Sequence, residues 1–423
     1  MGRPAAGPSP SPEAEASAGV VLGEVKRETT TNERLPVSTD HEFIPFAIPD
    51  IGEEEVEAAA ETIRSGWLTT GKQAATFETE FAEFLGGGDL HAVAVNSATA
   101  GLHLALEAAG IGPGDEVIVP DWTFTATAEV VRYLGATPVI VDVEPDTLCI
   151  DYTCADHAVT ERTRAVMPVH FAGLAVDSEA TKDFAGRHEL HVIEDAAHIL
   201  PGTSHGQLIG SGNSFATVFS FYATKTITTG EGGMLVTRSP DVARRARMMR
   251  LHGIGENVFD RYTSRTPNWY FEVLAPGFKY NLTDPAAAIG RVQLRRAWEM
   301  RDARESIARR YDEGLAGLPL RLPAHAPEGD VHSWHLYVVR LGEEVPFDRA
   351  EFIERMAAIG VRCSVHFMPL HTHPYWREFG SYSDADFPVS TDENQRQVSL
   401  PAFSSMTDVQ VDRVIEAVRE VLR

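Results

Sequence analysis

The sequence predicts an α/β fold in which a mainly parallel sheet lies between helices. Short apolar runs recur from His91 onward, helix-forming stretches separate them, and the runs are apolar enough to be covered on both faces. The strand-like runs are His91 to Val95, Glu116 to Pro120, Thr137 to Val141, Ala165 to Val169, His191 to Glu194, Ala216 to Phe221 and Gly233 to Val236. Together they make a seven-stranded sheet in a large domain.

Taken in order, residues 1–40 come first, rich in Pro, Ala, Ser, Glu and Thr with almost nothing large and apolar to bury, and they read as a disordered tail. Thr99 to Ala109 reads as a helix opened by a Thr cap and closed by Gly110, and Thr125 to Leu134 as one closed by Gly135. Strand ends therefore open onto helix N-termini, the edge at which open α/β sheets bind ligands. After Leu282-Thr283-Asp284-Pro285 a long charged helix is expected to run to about Leu315, with Pro285 in its first turn. The large domain is placed at 41–290. A smaller C-terminal α+β domain, 291–423, follows, with strands at Leu336 to Leu341 and Val361 to His366 and helices at Arg349 to Ile359 and Thr407 to Leu422.

Composition narrows the function. A formal charge of -24 over 423 residues argues against nucleic-acid binding, which needs clustered Lys and Arg. The tail contributes only -2 of this, from six acids and four bases, so the folded part carries about -22. Three cysteines without a closely spaced framework fit free thiols in a reducing compartment. No apolar run approaches a membrane span, and no basic segment followed by an apolar one opens the chain, so a cytoplasmic location is expected.

The chemistry centres on Ser220-Phe221-Tyr222-Ala223-Thr224-Lys225, followed by Thr226-Ile227-Thr228-Thr229-Gly230-Glu231-Gly232-Gly233. A lysine held near the buried end of a strand loses proton affinity and becomes available as a neutral nucleophile, whereas an ordinary lysine extends into water. Asp195 ends the run His191-Val192-Ile193-Glu194-Asp195, where a strand would deliver a carboxylate to the ligand edge; it could instead cap the next helix. Asn96-Ser97-Ala98-Thr99-Ala100-Gly101 could cradle a phosphate at a helix N-terminus, or simply cap that helix. Phe124 could stack on a flat ring or belong to the core.

In this order, and with Ile51-Gly52-Glu53-Glu54-Glu55, Gly66-Trp67-Leu68-Thr69-Thr70-Gly71 and Gly277-Phe278-Lys279-Tyr280-Asn281-Leu282, the chain resembles the DegT-like family of pyridoxal-phosphate-dependent sugar aminotransferases, of fold-type I. The resemblance covers about nine tenths of the chain. It implies pyridoxal 5'-phosphate as cofactor, Lys225 as the Schiff-base lysine and acid-base, and Asp195 on the pyridine nitrogen. By the same resemblance Phe124 stacks on the ring, Thr99, Ala100 and Ser220 hold the phosphate, and His198 sits near the ring oxygen. Asn281 would reach the phosphate of a neighbouring subunit, implying a homodimer with shared active sites, although Lys279 stands where many relatives have Asn. The wording around Lys225 and Phe278 to Asp284 is closest to the branch that synthesises UDP-4-amino-4-deoxy-L-arabinose. The implied reaction moves an amino group from glutamate or glutamine to C4 of a keto sugar nucleotide through pyridoxamine phosphate. Relatives that act at C3 or on unlinked cyclitols share most of these motifs. Arg250, Lys279 and Arg261 are candidate cations for the nucleotide diphosphate.

The sugar 3-dehydratase branch is a rival enzyme class, but its members carry His where Lys225 stands. A binding module that kept the fold is a third reading, against which the full set of catalytic residue types argues. Gly66 to Gln73 approaches a P-loop but has Gln73 for the metal-binding Ser or Thr, and the preceding Glu53 to Ser65 reads as helix rather than strand. His366, His371 and His373 lack a carboxylate or Cys at ligand spacing and are read as part of a loop near the substrate, not as a metal site.

Overall fold

The computed structural model describes residues 43–255 and 271–423, and these fall in one compact unit. The expected tail and Arg261 lie outside the described residues. Seven strands form the central sheet, here β1 His91–Val95, β2 Glu116–Pro120, β3 Thr137–Val141, β4 Thr163–Val166, β5 His191–Asp195, β6 Ala216–Ser220 and β7 Gly233–Thr237. Their spatial order is β1-β7-β6-β5-β4-β2-β3. Pairing is parallel from β6 through β5, β4 and β2 to β3, and antiparallel on both sides of β7. One reversed strand is what a tight return after the Lys225 turn requires. The sheet is therefore mainly parallel, and β2, β6 and β7 are buried along most or all of their length, as strands covered on both faces must be.

Helix Lys72–Phe84 covers one face. Its Phe77 and Phe81 are fully buried against Phe221, at ring distances of 5.3 and 5.7 Å, and Phe81 meets Phe219 at 5.2 Å. Burying each such ring contributes about 1.5–3 kcal/mol, so this aromatic layer anchors the strand that leads to Lys225.

On the other face, helix Ala98–Ala108 starts one residue earlier than the sequence suggested, because Ser97 and not Thr99 is the cap: its Oγ accepts the Ala100 amide at 3.1 Å. The single long helix is in fact two, Asp284–Arg295 and Ala297–Leu315. Arg296, at the break, is drawn out of line by Asp50 and Glu55, each 2.8 Å from its guanidinium.

A second, three-stranded antiparallel sheet follows: β8 Leu320–Arg321, β9 Tyr337–Leu341 and β10 Gln397–Leu400. Val361 to His366 does not become a strand; only single bridges form, Val361 to Ile44 and Ser364 to Ser399. Residues beyond 290 also pack into the main core, through Leu370, Trp376 and Phe387.

Candidate active site

The site lies where β5 and β6 end. Asp195, the last residue of β5, is 6% exposed, and its carboxylate accepts hydrogen bonds from Thr127 Oγ1 at 2.8 Å and the Ala197 amide at 3.1 Å. Thr127 is itself bonded to Thr123, at 2.7 Å. Both donors to Asp195 are neutral. Burial raises its pKa, against those two hydrogen bonds and the Lys225 charge.

Lys225 comes five residues after β6, in a turn closed by its own amide bonding to Tyr222 O at 2.9 Å. Burial pulls its amine down to about 8; the Asp195 carboxylate opposes this and the Arg304 guanidinium adds to it. A useful fraction of the amine is then neutral near physiological pH, as a nucleophilic lysine requires.

The turn at Ser97 meets the same edge through a glycine. Gly233 pairs with Val95 in β1 and with Ser220 in β6. A Cβ on it would fall 2.8 Å from the Ala98 amide nitrogen and 2.9 Å from the Ser97 carbonyl carbon. Only glycine lets the strand approach so closely. Ser220 and the first turn of helix Ala98–Ala108 are thus brought to one spot, where the Ala98 and Thr99 amides precede the intrahelical ladder. The Ala100 amide is already engaged by Ser97.

His198 is buried, and its Nδ1 accepts the Ala172 amide at 3.3 Å. Burial, then the charge of Lys225, holds its pKa well below the usual range. The neutral ring therefore carries its proton on Nε2, ready to donate. Phe124 is 58% exposed, 5.8 Å from the Phe367 ring, so it is not the core residue its position also allowed. Asn281 bridges to Val95, and its Nδ2 donates to Thr70 Oγ1 at 2.6 Å.

Other expected residues are engaged elsewhere. Arg250 is buried and bonded to Glu78 Oε1 and Ala94 O, so it serves the interior of the chain. Lys279 is exposed. In the P-loop-like stretch, the Gly71, Gln73 and Ala74 amides all donate to the Asp284 carboxylate, at 2.7, 3.1 and 3.0 Å. A carboxylate fills the place an anion would take. His371 is buried against Asp121, Nδ1 to Oδ2 at 2.6 Å, which ties the segment after Phe367 to the end of β2.

Two residues of the site escaped the sequence reading, Thr127 beside Asp195 and His335 beside Lys225, while His366, read as belonging to a loop near the substrate, feels the Lys225 charge. His335 Nε2 is 3.5 Å from Lys225 Nζ, and the Lys225 charge helps depress the His366 pKa, which burial chiefly lowers to about 4. The available signal was His332-Ser333-Trp334-His335, a histidine and aromatic cluster immediately before a strand.

The arrangement fits pyridoxal phosphate on its own geometry. A buried carboxylate bonded to two neutral donors suits a protonated ring nitrogen, a lysine of lowered pKa suits an aldehyde, and the Gly233 junction suits a phosphate.

Comparisons with known proteins agree. Residues 49–419 match the model of the DegT/DnrJ/EryC1/StrS aminotransferase family. The chain is 44% identical over 389 residues to the spore coat polysaccharide biosynthesis protein SpsC of Bacillus subtilis, covering 92% of this chain and 99% of SpsC. Among solved structures it is similar to Spr1654 of Streptococcus pneumoniae in its pyridoxamine-phosphate form, with TM-score 0.83, 32% identity and coverage of 90% and 98% of the two chains. It is also similar to PseC of Helicobacter pylori, an aminotransferase involved in the biosynthesis of pseudoaminic acid, with TM-score 0.82, 27% identity and coverage of 90% and 99%. With the family model spanning nearly the whole chain and a fold-type I arrangement of strands behind Lys225 and Asp195, the chain belongs to the DegT/DnrJ/EryC1/StrS aminotransferase family.

Proposed function

We propose that this pyridoxal-phosphate-dependent sugar aminotransferase carries an amino group from glutamate or glutamine to C4 of a keto sugar nucleotide. The observation that carries the reading is Lys225, an amine lowered to about 8 at a strand end beside the buried Asp195 carboxylate. Similarity to SpsC and PseC supports a sugar as acceptor. The wording around Lys225 and Asn281 supports C4.

When bound, pyridoxal phosphate supplies a carbonyl that takes up an amino group and a ring that accepts the electrons of a deprotonated carbon. The chain does the rest. Lys225, as a neutral amine, would hold the cofactor carbonyl and would take up and return the proton of the substrate carbon. Asp195, oriented by Thr127 and Ala197, would pair with the ring nitrogen and hold its proton there. His198 would donate Nε2–H to the ring oxygen, and Phe124 would cover a ring face. Thr99 in the helix turn and Ser220 would bind the phosphate, the Ala100 amide would have to be shared with Ser97 Oγ to join them, and Asn281 of a second copy would complete that site in a homodimer. Residues 41–290 would form the cofactor domain and 291–423 the smaller one.

Among the described residues no helix is long and apolar enough to cross a membrane. Free Cys149, Cys154 and Cys363 support a reducing cytoplasm as the place of action.

The test is a transfer assay with nitrogen-labelled glutamate or glutamine and a panel of 3-keto and 4-keto sugar nucleotides, read by mass spectrometry and NMR of the product. Label at C4 is expected. Label at C3 would overturn the position, and loss of the C3 hydroxyl without label would favour the dehydratase.

A further inference from the structure

Basic side chains from distant parts of the chain converge on the end of Lys225. His335 Nε2 is 3.5 Å from Lys225 Nζ, and the His335 ring lies 4.5 Å from that of His198. His366 rests on Phe46 at 5.1 Å and bonds through Nδ1 to Ser399 Oγ at 2.9 Å. Burial first, and the Lys225 charge next, keep all three imidazoles neutral. A neutral imidazole has one lone pair to offer an ammonium. On His198 that lone pair serves Ala172, and on His366 Nδ1 is engaged with Ser399. His335 Nδ1 is buried with no partner among the described residues, so Nε2 is the nitrogen it presents to a neighbour.

Its placement is enforced from the backbone. Arg304 is 3% exposed in helix Ala297–Leu315, and its Nη1 donates to the carbonyl oxygens of Trp334, His335 and Ala402 at 3.3, 3.2 and 2.6 Å. Burying a guanidinium against carbonyls alone is costly. From the other side, the Ser333 and Leu336 amides donate to Gly173 O and Ala172 O. The segment carrying His335 is thereby clamped between a helix and the 171–173 turn.

We propose that His335 is a positioning residue for Lys225: its Nε2 accepts a hydrogen bond from Nζ and fixes where the amine rests, while Arg304 holds the His335 backbone in place. An acceptor for the ammonium favours the charged form. His335 thus works with Asp195 against burial and the Arg304 charge, and prevents the proton affinity of the amine from falling further. The consequence for catalysis rests on Lys225 being the cofactor lysine; the consequence for its proton affinity does not.

The test uses cofactor-free full-length protein. Lys225 modification by an amine-reactive reagent is followed against pH, with the Lys225 peptide read by mass spectrometry. His335→Asn, too short to reach Nζ, should lower the midpoint by about half to one unit, or roughly three- to tenfold greater reactivity below the midpoint, which is the scale of one hydrogen bond to the charged form. His335→Gln, long enough to accept, should restore it. An unmoved midpoint in the Asn variant, or an equal shift in both, would overturn the proposal. Should the Asn variant not fold, the wild-type chain decides: the His335 Nε2 nitrogen resonance should titrate with the Lys225 midpoint, and a flat resonance contradicts the pair. If the shifts appear but no amino group is ever transferred, His335 acts on Lys225 as stated and the functional reading is what fails.

Discussion

The turn at Ser97–Ala100 and the turn at Gly71–Ala74 both bring unladdered amides to a helix N-terminus, and the chain treats those amides differently. At the first, a neutral hydroxyl caps one amide and Gly233 draws the sheet edge close. At the second, Asp284 binds three amides with a carboxylate that is 2% exposed. A helix N-terminus attracts anions by its amides and dipole, so the second site has its anion built in. The difference teaches that a phosphate-like motif is decided by what the rest of the chain brings to it, here a residue about two hundred positions away.

The most severe way to break the contrast is to remove the group that gives the open edge its chemistry. Lys225→Ala should cut amino transfer by about a thousandfold or more in a steady-state assay while leaving the melting temperature near wild type. Comparable turnover without the lysine would end its role. Asp195→Asn keeps the shape and removes the charge, and should lower kcat by on the order of a hundredfold, with KM for the sugar little changed.

The next two changes set the turns against each other. Asp284→Ala leaves the Gly71, Gln73 and Ala74 amides without their acceptor, which should cost about 2–4 kcal/mol in denaturant unfolding and leave cofactor affinity per folded molecule intact. Ser97→Ala should cost only about 1 kcal/mol yet weaken cofactor binding severalfold in a fluorescence titration. If Asp284→Ala were instead the variant that loses cofactor, the roles of the two turns would be reversed.

The most gradual expected effect is a slope. Lys225 titrates at about 8 in the folded chain against 10.5 for a free lysine, so between these values the unfolded chain holds more of this proton. Its contribution to apo-protein stability should rise with pH through that window, having been unfavourable below about 8. Lys225→Met should flatten that part of the stability profile.

Much of the fold was legible because it rests on local pattern. Strands as apolar as Val117-Ile118-Val119 admit little else, and Gly110 and Gly135 close their helices with φ of 76° and 78°. The positions of Asp195, which ends β5, and of Lys225, five residues beyond β6, were legible for the same reason. What escaped depends on long-range packing. The break at Arg296 needs Asp50 and Glu55, and the failed strand near Val361 needed a continuous partner, where the chain supplies only Ile44 and Ser399. His335 next to Lys225 is a meeting of residues 110 positions apart, imposed by an arginine on a third segment.

The open edge is tested most directly by trapping. Wild-type protein loaded with pyridoxal phosphate, reduced with borohydride and digested, should carry the reduced cofactor mass on the peptide containing Lys225. A cofactor mass on another lysine, or none retained after reduction, would contradict the assignment of Lys225 and with it the site at the ends of β5 and β6.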